Sequence, residues 1–268
     1  MNKNKKYRTV NILGIEVAAL RMDGVLDMCN ECIARKYPLL IGVVNAAKLV
    51  NCQKDAELLK SLEEADIVLA DGQPVVWLSK MMGNPLPERV AGVDLMDKLL
   101  ERASERQCGV YFLGARPDVV QKVVEVVRRR YPGVRIAGFR DGYFSTEEDK
   151  AVAEDIRASS ADIIFVAMTS PRKENFLRQW RKVMNVPVCH GVGGSFDVMA
   201  GVTKRAPAWM QKTGMEWFYR VMQEPGRMWK RYLVTNSIFI GLSVGAVIRA
   251  RLGKRYGAAI SQTGSKTD

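Results

Sequence analysis

The sequence predicts a doubly wound α/β domain with a mostly parallel sheet, followed by a helical C-terminal appendage. Three observations predict it. Short, near-continuous apolar runs alternate with amphipathic runs of helical period through residues 10–200, and no internal repeat or low-complexity linker interrupts them. Basic and aromatic residues then collect beyond residue 200. Strands buried on both faces have continuous apolar runs, and helices between such strands give a mostly parallel sheet covered on both sides.

The elements follow in order. "NILGIEV" (11–17) adds a strand or hairpin edge, and "GVLDMCNECIARK" (24–36) is a helix-like run. Strands are expected at 39–45, 65–71, 109–114, 134–139, 161–168 and 186–193. Helices are expected at 46–62, 73–82, 93–106, 117–131, 146–159 and 172–184. The domain is bounded at 1–200 and the appendage at 201–257. An apolar segment at 233–248 lies inside the appendage, and a disordered tail is expected at 258–268.

Charge is distributed unevenly. The chain of 268 residues carries a net charge of +12. Residues 201–268 hold 12 Lys/Arg against 3 Asp/Glu, so most of the excess belongs to the appendage. A localised excess implies a localised anionic partner. The 5 cysteines and an N-terminus without an apolar h-region imply a reducing, cytosolic compartment with free thiols. Cys29 and Cys32 form a lone CxxC and read as two helix residues. The single histidine, His190, excludes a multi-histidine metal site and takes a structural role at a strand end.

Ligands of open parallel sheets bind beyond the carboxyl ends of the strands. The residues that follow the six strands are therefore the candidates. They include Asn45; Asp71, Gly72 and Gln73; Gly114; Ser170, Lys173 and Glu174; and Gly191, Gly193, Gly194 and Asp197. "GVGGSFDVMAG" (191–201) does not complete the dinucleotide fingerprint, because Phe196 stands at the third glycine and no acidic ribose ligand follows. An NAD enzyme is thereby disfavoured. Asp71 ends an apolar strand, where it serves either as a base for a substrate hydroxyl or as the N-cap of the 73–82 helix. No D-x-D pair occurs, so a bound diphosphate would be neutralised by arginines and backbone N–H groups. Arg89 lies in a Pro- and Gly-rich loop.

"GMEWFYRVMQEPGRMWKRYLV" (214–234) interleaves aromatic and basic side chains, a composition suited to nucleic-acid bases, a membrane interface or a diphosphate. The spacing of Arg220, Arg227, Lys230 and Arg231 would gather them on one helix face, although Pro225 starts a second helix. The following 16 uncharged residues, 233–248, cover ~24 Å against ~30 Å of hydrocarbon, and Arg249, Arg251, Lys254 and Arg255 come next. This pattern favours a monotopic anchor over a span, with packing on the core as the alternative. It also disfavours a nucleic-acid binder, whose charge would line a groove.

"ADGQPVVW", "RVAGVDLM", "AMTSPRKENF", "GVGGSFDVMAG" and "RAPAWMQKTGMEWFYRVMQEPGR" together resemble the WecG/TagA/CpsF family of bacterial glycosyltransferases over residues 10–235. The resemblance implies a Rossmann-like core and an inverting, metal-independent transfer that uses no cofactor. The donor would be a UDP-sugar (N-acetylmannosamine, its uronic acid or glucose), and the acceptor a polyprenyl-diphosphate-linked sugar at the cytoplasmic membrane face. It implies Asp71 as the catalytic base. The implied substrate-binding set is Asn45, Gln73, Arg89, Asp94, Gly114, Ser170, Lys173, Glu174, Gly191, Gly193, Gly194, Asp197, Arg205, Arg220, Arg227, Lys230 and Arg231. Self-association into a homo-oligomer is a further expectation. Two positions depart from the family pattern: Val43 replaces a threonine, and Lys173 replaces the glutamine of a P-K-Q-E motif.

Overall fold

A computed structural model describes residues 7–263, with the side chains of 227, 228 and 253–263 outside the described set. Six parallel strands form the main sheet: β3 (Leu39–Val44), β4 (Ile67–Ala70), β5 (Gly109–Gly114), β6 (Arg135–Arg140), β7 (Ile163–Ala167) and β8 (Val188–Gly191). Their spatial order is β4-β3-β8-β7-β5-β6. Ile41 pairs with Ile67 on one side and His190 on the other, which aligns the carboxyl ends of β3, β4 and β8. The central strands are buried along their lengths, with only Gly42 of β3 partly exposed, as their apolar composition requires.

Helices cover both faces. On one, α1 (Met22–Arg35), α5 (Gly92–Glu105) and α6 (Pro117–Arg130) contribute Val25, Leu99 and Val123 to a core that includes Phe112 and Phe165. On the other lie α2 (Ala46–Cys52), α3 (Ala56–Glu63), α4 (Gln73–Met81), α7 (Asp149–Ala158) and α8 (Arg172–Met184).

One helical run departs from the sequence reading, and the N-terminal run takes the hairpin form of the two expected. The run 46–62 is two helices, because Asp55 takes an extended conformation and its carboxylate accepts the Leu58 N–H at 3.0 Å, capping a new helix. The N-terminal apolar run is a hairpin, β1 (Thr9–Ile12) and β2 (Ile15–Ala18), in a separate two-stranded sheet. Its turn residues Leu13 and Gly14 both have positive φ, so the hairpin closes without joining the parallel ladder.

After α9 (Ser195–Met199) the appendage consists of α10 (Ala208–Lys212), α11 (Glu216–Gln223) and α12 (Pro225–Thr263). Helix α12 carries helical backbone past the 257 boundary into the segment expected to be disordered, and residues 264–268 lie outside the described residues. Thr235, Phe239, Ser243 and Ala246 are buried at helical spacing, and Phe239 joins the core cluster containing Leu49 and Val50 of α2. The opposite face leaves Leu233, Ile240, Val244 and Ile248 more than half exposed.

Candidate functional site

The carboxyl edge of the sheet is assembled around Asp71. Its backbone N–H still follows the β-ladder, donating to the Val44 carbonyl at 2.9 Å, and Gly72 then turns the chain into α4. The Asp71 side chain does not cap that helix; Gly72 is the N-cap, and it has no side chain to offer. Instead Asp71 Oδ1 accepts the N–H of Gly92, the first residue of α5, at 2.8 Å. One carboxylate oxygen is thus held at a helix N-terminus, where the exposed N–H groups favour an anion. The other oxygen has no partner among the described residues, and Asp71 is half-buried.

His190 fixes Gly92 from beneath. It is fully buried in β8, with Nε2 3.3 Å from the Gly92 carbonyl oxygen. Burial pushes its pKa down to about 4, so it is a neutral packing partner at physiological pH. The structural role expected at the strand end therefore holds. Beside Asp71, Asn45 caps α2 by accepting the Lys48 N–H at 3.0 Å. A Cβ at Gly72 would lie 3.2 Å from Asn45 Cβ, which places these two strand ends in close contact.

Behind the edge lies a buried charge cluster. Lys48 Nζ of α2 and Lys173 Nζ of α8 both stand 2.8 Å from Glu174 Oε1. Burial works to raise the Glu174 pKa, yet the two ammonium groups outweigh it and hold the group at about 2. Burial, reinforced by the like charge of Lys48, pushes Lys173 down to about 8. A cavity of about 20 Å³, lined by Lys48, Ser61, Lys173 and Glu174 among others, adjoins the cluster. That is room for one water, and Glu174 Oε2, buried without a protein partner, would be its acceptor.

The other predicted residues divide into two groups. Gly114 has φ +117°, and a Cβ there would stand 2.5 Å from the Ala167 carbonyl oxygen, so strand packing alone requires glycine. Gly191 makes room for the Lys173 stem, Gly193 borders the Lys173 ammonium, and Gly194 lies beside Asp197. Ser170 is exposed in the loop after β7, and Gln73 opens α4. Arg89, Asp94 and Arg205 meet one another instead of standing free. Arg205 pairs with Asp94 at 2.6 Å, while Arg89 approaches Asp94 at 3.7 Å and binds Glu216 of α11. Gln211 Oε1 accepts from both arginines.

This network seats the appendage on the domain. Gly214, with φ +65°, lies against the indole of Trp77 in α4, and Trp217 packs on Tyr232 with ring centroids 6.1 Å apart. Arg220 does not share a helix with Lys230 and Arg231, because α11 ends at Gln223 and Pro225 opens α12. All three are exposed, with Arg231 over the Tyr232 ring at 5.7 Å. The Arg227 side chain lies outside the described residues.

Lys48, Glu216, Gln211 and Trp77 were not among the sequence candidates. Lys48 lies in an amphipathic run, where a lysine reads as solvated. Glu216 was visible only as part of the resembling motif, and only the fold brings it 127 positions back to Arg89.

Two comparisons with known proteins bear on this site. The model of the Glycosyl transferase WecG/TagA/CpsF family matches residues 10–255. Among curated relatives, an N-acetylglucosaminyldiphosphoundecaprenol N-acetyl-beta-D-mannosaminyltransferase of Bacillus spizizenii is 42% identical over 172 residues, 64% of this chain and 66% of the relative. The protein of the same name from Bacillus subtilis is 37% identical over 201 residues, 75% of this chain and 77% of the relative. The match to the first of these thus spans slightly less than two thirds of its length.

Proposed function

The chain belongs to the WecG/TagA/CpsF family of glycosyl transferases, and from that premise we propose that it moves an N-acetylmannosamine-type sugar from a UDP-sugar to an undecaprenyl-diphosphate-linked sugar, with inversion. The observation that carries this reading is Asp71, a half-buried carboxylate with one oxygen fixed by the Gly92 N–H and the other open. Inversion by direct displacement needs one base to take the acceptor hydroxyl proton and no covalent intermediate. Asp71 supplies that base. The acceptor oxygen attacks the anomeric carbon as its proton passes to Asp71 Oδ2, and the UDP oxygen leaves on the opposite face with the bonding electrons. The names of the two relatives support both the acceptor and the sugar.

The acceptor is a lipid, and α12 suits a protein that works at its surface. The 24-residue apolar stretch Trp229–Leu252 is long enough to cross a bilayer, which extends the 16 residues read from the sequence. One face of it is packed on α2, so in this arrangement the helix lies along the domain. Its other face presents apolar side chains between Lys230 and Arg231 at one end and Arg249 and Arg251 at the other. We assign it to the cytoplasmic bilayer interface, with the apolar face in the headgroup boundary and the cations at anionic lipid. The exposed Arg220 is then available to a diphosphate.

The test is direct. The full chain is offered a panel of UDP-sugars with a short-chain prenyl-diphosphate N-acetylglucosamine, and products are identified by mass and anomeric configuration. A β-linked disaccharide from an α-linked UDP donor is expected; retention at the anomeric carbon, or no lipid product from any UDP-sugar, would reject the reading.

A further inference from the structure

His190 is a polar side chain where packing alone would be served by an apolar one. It is fully buried in β8, on the same face of the sheet as Val188, which belongs to the core under α1, α5 and α6. A buried imidazole loses its hydration, and that loss is offset only where its N–H finds an acceptor. The neutral ring has one N–H to place. Nε2 lies 3.3 Å from the Gly92 carbonyl oxygen, while Nδ1 has no hydrogen-bond partner among the described residues. A carbonyl oxygen only accepts, so the proton sits on Nε2. The Phe165 ring stands across the imidazole at 72°, with centroids 6.2 Å apart, and keeps it in that orientation.

Gly92 is therefore held at both of its backbone groups. Its carbonyl meets β8 through His190, and its N–H meets the end of β4 through Asp71 Oδ1 at 2.8 Å. A Cβ on Gly92 would stand 3.6 Å from His190 Nε2 and 4.0 Å from Asp71 Oδ1, so imidazole and carboxylate both lie within van der Waals reach of one glycine. The chain leading into Gly92 is tied to the same sheet edge, where the Val90 N–H donates to the Ala70 carbonyl at 2.9 Å. The Asp71 backbone is fixed in the ladder by its bond to Val44, which leaves its carboxylate only side-chain rotation. The Gly92 N–H arrests that rotation, so the position of Gly92 sets where Oδ2 points.

We infer that His190 is a positioning residue for the transfer: by holding the Gly92 carbonyl it fixes the Gly92 N–H, and through it the direction in which Asp71 presents its open oxygen to the acceptor hydroxyl. This deepens the transfer reading above and rests on Asp71 as its base. His190 itself is sealed beneath the edge and out of reach of substrate, so its contribution is geometric. Misplacing a reacting group by about 1 Å costs up to ~10²-fold in rate.

Steady-state kinetics of the full chain test this with UDP-N-acetylmannosamine and a short-chain prenyl-diphosphate N-acetylglucosamine. His190→Met keeps the volume and removes the donor; kcat should fall about 10- to 100-fold with KM for the nucleotide sugar unchanged. His190→Gln can still donate to the Gly92 carbonyl and should recover most of the rate. In an Asp71→Asn background, His190→Met should lower kcat no further, because a residue that acts only through the base has nothing left to position. A loss that appears in full on both backgrounds, or one carried by KM, would mark His190 as merely structural and overturn the inference. The wild-type chain provides a measurement independent of any variant. Its single histidine gives one pair of ring nitrogen signals, and ¹⁵N NMR should show the proton on Nε2; a proton on Nδ1 overturns the inference. A slow Asp71→Asn chain beside a fast His190→Met chain rejects the inference alone. Near-normal turnover by Asp71→Asn rejects the base, and the inference with it.

Discussion

The sheet edge and the appendage both gather charge, and they do so in opposite ways. At the edge, Lys48, Lys173 and Glu174 are each less than a tenth exposed and share short contacts. On the appendage, Arg220, Lys230 and Arg231 are exposed, and none of them has an ion pair among the described residues. Buried groups act over a few ångströms in a medium that salt barely screens; exposed cations act over a Debye length and weaken as salt rises. In the proposed function the first arrangement would select and orient a small substrate, and the second would hold an anionic surface.

The largest expected effect tests whether the edge performs the chemistry. Asp71→Asn removes the base and keeps the acceptor for Gly92 N–H, so transfer should fall about 10²- to 10⁴-fold while the melting temperature changes little. Turnover near wild type would take Asp71 out of the mechanism.

Next in size is the cluster itself. Glu174→Ala leaves two buried ammonium groups unpaired, and urea unfolding should show a loss of about 3–5 kcal/mol that about 0.5 M salt, where the Debye length is roughly 4 Å, does not restore. A loss under ~1 kcal/mol would mean the cluster behaves as a surface pair.

The third effect depends on pH. The folded-state pKa of His190 is about 4, below its ordinary value of 6.5. Between those values the unfolded chain binds a proton that the native state refuses, so stability is full above pH 6.5 and declines as pH falls toward 4. The loss is up to about 3 kcal/mol. Glu174, held at about 2 against 4.5, adds a separate decline below pH 4.5. Stability measured by urea midpoints at pH 7 and pH 4.5 should drop less in His190→Gln than in the wild-type chain. An equal drop in both would assign the acid limb to other groups.

The smallest effect belongs to the appendage. Lys230→Gln with Arg231→Gln should weaken co-sedimentation with anionic vesicles by about 1 kcal/mol for each charge, a difference that vanishes at high salt. Loss of folding in this pair, or salt-independent binding, would mean that the two regions do not differ as described.

Much of the fold was legible in the sequence, and the reason is local. Six apolar runs separated by amphipathic ones leave few arrangements other than a covered parallel sheet, and strand ends in such a sheet necessarily collect at one edge. That alone put Asn45, Asp71 and Gly191 together. Gly114 shows the limit of such reasoning, since a glycine after a strand looks the same whether a phosphate or the Ala167 carbonyl demands it. Arg89 shows another: spacing could not reveal that Glu216, 127 residues away, would take its guanidinium.

The sequence by itself determined the fold class, the family, the edge on which the candidate residues gather and the separation of a near-neutral body from a basic appendage. These depend on periodicity, composition and short motifs, all properties of neighbouring residues. Only the tertiary structure decided that Asp71 caps α5 and not α4, that Lys48 and Lys173 share one carboxylate, and that α12 packs one face on α2 while exposing the other. Each of these is a contact between segments far apart in the chain, and its energy depends on burial, which no local pattern specifies.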